Sequence, residues 1–189
     1  VLAMMGLGAA QFLLQPGEHT YRTAVGGPET ISFSDGTKIE LNTDTVLRTR
    51  MTTAERLVWL DKGEAYFQVK HDAAHPFIVV AGEHRITDLG TKFLVHRDSG
   101  DLEVALLEGS VRYVNDAGEP ASKATLLAPG DVITATTSTM FVTRKARLAL
   151  AKELSWRKGL LIFDNTPLAD AAGQINRYNR QKVVIADPQ

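Results

Sequence analysis

The chain has 189 residues, 44% of them hydrophobic and 23% charged, which suffices for one ordinary domain and a small second unit. It has no cysteine, which excludes a disulfide framework and a thiolate metal site, and its net charge of -1 gives no overall attraction to nucleic acid. The charge is uneven: residues 144–189 hold nine Lys or Arg against four Asp or Glu, so residues 1–143 carry an excess of six negative charges. Two readings follow, either two separately solvated surfaces or a basic tail that faces a partner.

In chain order, residues 1–14 (VLAMMGLGAAQFLL) are uncharged and apolar except for Gln11. The stretch is shorter than the roughly 20 residues that span a bilayer, and it lacks the basic leader of a signal peptide. It is expected to be the end of a transmembrane helix, residues 1–15, broken by Gln15-Pro16-Gly17. Residues 16–143 then read as one β domain, because apolar residues recur at a spacing of two between glycine turns. In ISFSDGTKIELN, a loop of Ser34, Asp35 and Gly36 sets Phe33 across from Thr37 and Ile31 across from Ile39. In residues 56–80, RLVWLDKGEAYFQVKHDAAHPFIVV, the pattern predicts a hairpin around Asp61, Lys62 and Gly63, with Trp59 opposite Ala65 and Leu57 opposite Phe67. Gly63 takes a left-handed position there. LEVALLEGSVRYV predicts a two-residue turn at Glu108 and Gly109, with Leu106 meeting Val111 and Val104 meeting Tyr113. Ala128, Pro129, Gly130 and Asp131 form a further turn. Gly36, Gly63 and Gly90 recur every 27 residues, whereas Gly109 and Gly130 come sooner, so any repeat is approximate. Many short strands in this arrangement fit a sandwich, a jelly roll or a twisted solenoid-like stack of hairpins. Residues 115–125, NDAGEPASKAT, read as an exposed hairpin tip or insertion.

Residues 144–158 (RKARLALAKELSWRK) read as a connector, helical in part, with Ala146, Leu150 and Leu154 on one side. Residues 159–189 read as a βαβ unit. LLIF (160–163) is its first strand, and Thr166 and Pro167 open a helix whose apolar stripe is Leu168, Ala171, Ala172, Ile175 and Tyr178. Residues 182–185 close it with a second strand.

Chemistry-bearing patterns are sparse. His71 and His75 are four apart but sit in a loop between strands, which does not supply the shared helix face a metal would need. There is no nucleophile elbow and no phosphate-cradling loop, and nothing selects a pair of facing carboxylates. Arg177, Tyr178 and Arg180 are the one local mixture of basic and aromatic residues, and Tyr178 reads first as core-facing. No catalytic, cofactor-binding or metal-binding residue is assigned, and neither a small-molecule substrate nor nucleic acid is expected.

Taken together, Tyr21 to Thr23, FSDGTKIELN, GEAYFQV running into HPFIVV, LGTKFLV, LEGSVRYV, LAPGD, WRKGLLIF, TPLAD and NRY resemble, in that order and spacing, the extracytoplasmic region of the FecR family. These are membrane-anchored regulators of extracytoplasmic-function sigma factors in Gram-negative bacteria. The resemblance implies a mainly β, solenoid-like domain followed by the first half of a secretin/TonB short N-terminal domain. It also implies a single-pass inner-membrane protein with this region in the periplasm. Such a protein receives a signal from a TonB-dependent outer-membrane transducer and relays it, through a cytoplasmic segment outside this sequence, to a sigma factor. Partner contact is then expected in the basic tail, at Trp156, Arg177, Tyr178 and Arg180, with burial against the β domain as the competing role for Trp156. A different class of function also stays open, a cell-surface all-β module that binds or processes carbohydrate.

Overall fold

The period-two segments form a ladder of 13 short strands among the described residues. The structure is a computed structural model and describes residues 17–53, 56–88, 90–115, 124–136 and 139–186. The transmembrane expectation for residues 1–15 and most of the 115–125 loop lie outside the described residues. No helix among the described residues is long and apolar enough to cross a membrane.

The strands are β1 (Glu18–Arg22), β2 (Glu29–Ser32), β3 (Lys38–Leu41), β4 (Val46–Met51), β5 (Arg56–Gln68), β6 (Phe77–Ala81), β7 (His84–Asp88), β8 (Lys92–Asp98), β9 (Asp101–Glu108), β10 (Val111–Asn115), β11 (Thr125–Leu127), β12 (Asp131–Ala135) and β13 (Met140–Arg144). They fall into two facing layers that share β5. The first runs β1-β4-β5-β6-β7-β10-β11 and the second β2-β3-β5-β8-β9-β12-β13. All neighbours are antiparallel except β5 and β6. Successive hairpins alternate between layers: β6–β7 lies in the first, β8–β9 in the second, β10–β11 in the first and β12–β13 in the second. The chain is therefore mainly β, curled into a form that is both a stack of hairpins and a sandwich.

One core lies between the layers. Val58, Leu60, Phe77, Val79 and Ile86 from the first meet Ile39, Phe67, Phe93, Val104 and Ile133 from the second. Phe67 stacks on Phe93 at 4.8 Å and meets Phe77 edge-on at 6.0 Å, so one ring ties both layers together.

The loop at Ser34 to Gly36 forms as the pattern predicts, with Ile31 opposite Ile39 and the Phe33 N–H donating to Thr37 O at 2.9 Å. The hairpin expected at Asp61, Lys62 and Gly63 does not form. β5 runs through these residues without reversing: it pairs with β4 up to Lys62 and with β8 from Gly63 onward. Arg56, Val58 and Leu60 face the core before this point, and Ala65 and Phe67 face it afterwards. Leu57 and Trp59 point outward, with Arg48 and Arg50 over the Trp59 ring at 5.0 and 5.3 Å. Both faces of RLVWL are apolar at alternate positions, so alternation alone did not identify the inner one.

The turn at Glu108 and Gly109 is likewise a passage between layers, not a hairpin. Val104 pairs with Val95 and Ile133, whereas Val111 pairs with Asp88 and Leu127, so each strand already has partners on both sides. The turn from Ala128 to Asp131 forms, with the Asp131 N–H donating to Ala128 O at 2.9 Å.

Gly63 is the corner. Its φ is +93°, and a Cβ there would lie 2.4 Å from Thr45 Oγ1 and 2.6 Å from Thr45 Cα. Gly36 has a similar φ of +90° but open space around it. Replacing Gly36 with Ala should cost on the order of 1–3 kcal/mol for the backbone conformation alone. Gly63→Ala should cost clearly more in a denaturant titration, because Thr45 also has to move. Equal losses would show that the approach to Thr45 has no consequence.

Candidate functional site

Rows of side chains run across the outer face of the second layer because its registers align. Glu40 pairs with Tyr66, Tyr66 with Leu94, Leu94 with Ala105 and Ala105 with Val132. The adjacent row is Glu64, His96, Glu103 and Thr134. One row is thus largely apolar and the next charged, on a face that alternation would leave to solvent.

The C-terminal segment covers this face. It forms a helix α1 (Arg147–Glu153), a 3-10 turn (Leu154–Lys158) and a helix α2 (Leu168–Tyr178). Leu150 and Trp156 are buried against Tyr66, Leu94, Ala105 and Val132, with Leu107, Leu154 and Tyr178 packed around them. Charged pairs then bind the segment to the acidic row ends. Arg157 grips Glu40 through Nε at 2.8 Å and Nη2 at 2.5 Å while its guanidinium lies 3.7 Å over the Tyr66 ring. Arg177 pairs with the buried Glu64 at 2.8 Å. Asn42 donates to Tyr178 Oη at 2.7 Å and to Glu64 Oε1 at 3.2 Å, and the Thr43 hydroxyl donates to Arg177 O at 3.1 Å. Lys145 bridges Glu103 and Glu153 at 3.2 and 2.7 Å.

Three of the four residues proposed for partner contact therefore lie at this internal seam: Trp156 buried, Arg177 on Glu64 and Tyr178 on Asn42. Arg180, just beyond α2, is exposed. Sequence reasoning missed the receiving side, namely Glu40, Asn42, Thr43, Glu64 and Tyr66. The charge asymmetry was its signal, since the basic tail lies on an acidic face of the body.

The βαβ expectation is met only in its helix. Residues 160–163 and 182–185 carry no strand ladder among the described residues. The Asn176 side chain takes the place of a strand partner, accepting from the Val183 N–H at 2.6 Å and donating to Val183 O at 2.9 Å. α2 starts at Leu168, and Thr166 does not cap it; the Thr166 hydroxyl accepts from the Asp164 N–H at 3.3 Å instead. Leu168, expected on the apolar stripe, is exposed, whereas Ala172 is buried.

Outside the seam, His75 Nδ1 lies 2.9 Å from Asp72 Oδ2, and Asp72 also accepts from the Ala74 and His75 N–H groups, which is loop-stabilising geometry. No three His, Asp or Glu among the described residues group as metal ligands. Burial lowers the His84 pKa and raises the Tyr113 hydroxyl to about 12, and Tyr113 Oη lies 2.7 Å from His84 Nδ1. His96 is also lowered, first by burial and then by the Arg177 charge.

Thirteen strands among the described residues, curled around one core and followed by short C-terminal helices, define a mainly β domain. Residues 19–112 match the family described as FecR protein, and the chain belongs to the FecR family. The fold is similar to two crystal structures from Parabacteroides distasonis ATCC 8503, each described as a candidate anti-sigma factor. One, at 2.50 Å resolution, has a TM-score of 0.73 and 24% identity, over 91% of this chain and 82% of that one. The other, at 1.65 Å, has a TM-score of 0.71 and 25% identity, over 85% and 74%. No curated protein matches the chain.

Trp156 offers a direct test of its packing role. Its indole N–H is buried with no hydrogen-bond partner among the described residues. Trp156→Phe should therefore leave stability nearly unchanged, whereas Trp156→Ala should cost about 3–5 kcal/mol in urea unfolding. A large loss in the Phe variant would mean that the indole N–H is used.

Acid stability tests the histidines. His84 and His96 have folded pKa values below 6.5, so below that pH the unfolded chain takes up protons first and stability falls with decreasing pH. Above pH 6.5 their contribution is constant. His84→Gln combined with His96→Gln should flatten the stability profile just below pH 6.5 relative to wild type. Parallel profiles would show that neither histidine is held neutral by the fold.

Proposed function

We propose that this chain is the signal-receiving region of an inner-membrane-anchored sigma-factor regulator, with its β domain and C-terminal helices in the periplasm. The FecR match over residues 19–112 carries this reading, and the anti-sigma-factor descriptions of the two structural neighbours support it. The input is a TonB-dependent outer-membrane transducer and the output an extracytoplasmic-function sigma factor. The relay works by protein contact and not by catalysis.

On this reading the transducer meets α2 and the segment after it, where Arg180 remains exposed after Arg177 and Tyr178 are engaged at the seam. The immobilised chain should retain the signalling domain of a transducer encoded beside it. Arg180→Glu should weaken that complex about tenfold and reduce its sensitivity to salt. If no such domain is retained, the relay is wrong; if Arg180→Glu binds as wild type does, the contact lies elsewhere.

A further inference from the structure

The C-terminal segment is attached to the second layer in two different ways. Leu150 and Trp156 are buried in the seam, so α1 and the 3-10 turn are held by apolar packing. In α2, Ala172 is the one buried residue of eleven, and Tyr178 only borders the apolar cluster. The far end of α2 is held instead by polar groups: Arg177 on Glu64 at 2.8 Å, Tyr178 Oη on Asn42 at 2.7 Å and Arg177 O on the Thr43 hydroxyl at 3.1 Å. Cavities flank these contacts. One of about 980 Å³ lies between Leu94, His96 and Glu103 of the sheet and Gly173, Gln174 and Arg177 of the helix. Another, of about 290 Å³, lies between Thr43 and Arg97 on one side and Gly173 and Asn176 on the other. Gly173 lines both, and a Cβ added to it would meet nothing within 4 Å, so α2 is not packed down on the sheet at that point.

The chain before α2 is tied to α1. The Leu160 N–H donates to Ser155 O at 3.2 Å, the Ser155 hydroxyl donates to Leu160 O at 2.9 Å, and Lys152 pairs with Asp164. The chain after α2 is tied to α2 itself, since Lys182 Nζ donates to Asn176 O and Asn179 O at 2.6 and 2.8 Å and Asn176 holds Val183. Between these two groups, residues 165–167 carry neither helix nor strand, and Asn165 sits at φ +50°. A rotation there moves α2 and residues 179–183 as one piece and leaves the packing of Leu150 and Trp156 intact.

Glu64 sets the direction of that equilibrium. Its side chain is 7% exposed beneath α2, and a carboxylate so enclosed needs a cation. With Arg177 in place the closed arrangement is favoured; without it, lifting α2 returns Glu64 to water. We propose that α2 is a hinged lid, latched by Arg177 and Glu64, which opens about residues 165–167 while Leu150 and Trp156 stay packed. Opening exposes Asn42, Thr43 and Glu64 and frees Arg177 and Tyr178, so two residues whose type suits partner contact are masked until the latch is released. The inference does not rest on which protein meets α2.

The chain has no cysteine, so nitroxide labels can be confined to introduced ones. The pair Asp101→Cys with Gln181→Cys follows α2 against the sheet, and Asp101→Cys with Lys158→Cys follows the packed part of the segment; all three positions are exposed. Electron–electron distance measurements should give one narrow distance for each pair in the otherwise unchanged chain. Arg177→Met should add a longer distance at the Gln181 pair, raising the open fraction about tenfold or more, and leave the Lys158 pair as it was. Tyr178→Phe, which removes the single hydroxyl bonded to Asn42, should speed hydrogen exchange of the α2 amides about threefold without changing α1 or β8. This milder variant keeps the test decisive if Arg177→Met is less stable. An unchanged Gln181 distance in Arg177→Met, unchanged α2 exchange in Tyr178→Phe, equal changes at the Lys158 pair or in α1, or a Gln181 distance already spread without either variant would overturn the proposal.

Discussion

The architecture depends on β5 belonging to two sheets. At Gly63 the strand stops facing its core with even-numbered residues and begins facing it with odd-numbered ones, and a positive φ allows that change without ending the strand. Thr45 fits against the bare Cα, and its hydroxyl accepts from the Glu64 N–H at 3.1 Å. Arg97 closes the other side by donating to Asp61 O at 2.7 Å. Because Phe67 follows the corner and Val58 and Leu60 precede it, the same strand contributes to both walls of the core. A hairpin at this point would have left the two layers joined only by loops.

The corner also determines what the outer face carries. Shifting the phase by one residue turns Glu64 and Tyr66 outward, in register with His96 and Leu94. The apolar row then needs a cover, and Leu150 and Trp156 supply it. Glu64 is buried there and its charge needs a partner, which Arg177 supplies from α2. The seam is therefore apolar at its centre and ionic at its ends. The centre supplies most of the stabilisation through area removed from water, and the ion pairs fix where along the face each helix sits.

Much of this was legible in residue order. The loop at Ser34 to Gly36, the turn at Ala128 to Asp131, the helical connector and α2 followed from local chemistry, and the mainly β class from the density of glycine turns. Layer membership did not follow. Asp-Lys-Gly and Glu-Gly have turn composition whether the chain reverses within a sheet or crosses to the facing one, and only the partners of the flanking strands distinguish these. The covered outer face had a signal that was passed over: AYF, FLV and VALL are apolar at successive positions, the mark of strands buried on both faces. The strands expected at 160–163 and 182–185 had the right composition, but β propensity describes a side chain's fit to a half-buried surface, and without a ladder Leu160, Ile162, Phe163, Val183 and Val184 stay exposed.

The charge asymmetry of the sequence now has a structural account, and it narrows what the basic tail can do. Part of its excess is spent inside the molecule, with Arg157 on Glu40, Arg177 on Glu64 and Lys145 on Glu103. An acidic partner approaching these cations would have to displace carboxylates already placed at hydrogen-bond distance, one of them buried, so it gains little from them unless the helices lift. Of the cations outside the seam, Arg144 is paired with Asp131 at 3.5 Å, whereas the exposed Arg147 at one end of the segment and Arg180 at the other meet a partner without that competition. The two ends of the C-terminal segment are thus electrostatically open while its middle is closed, and any contact that moves the middle must first break the grip on Tyr66 and Trp156.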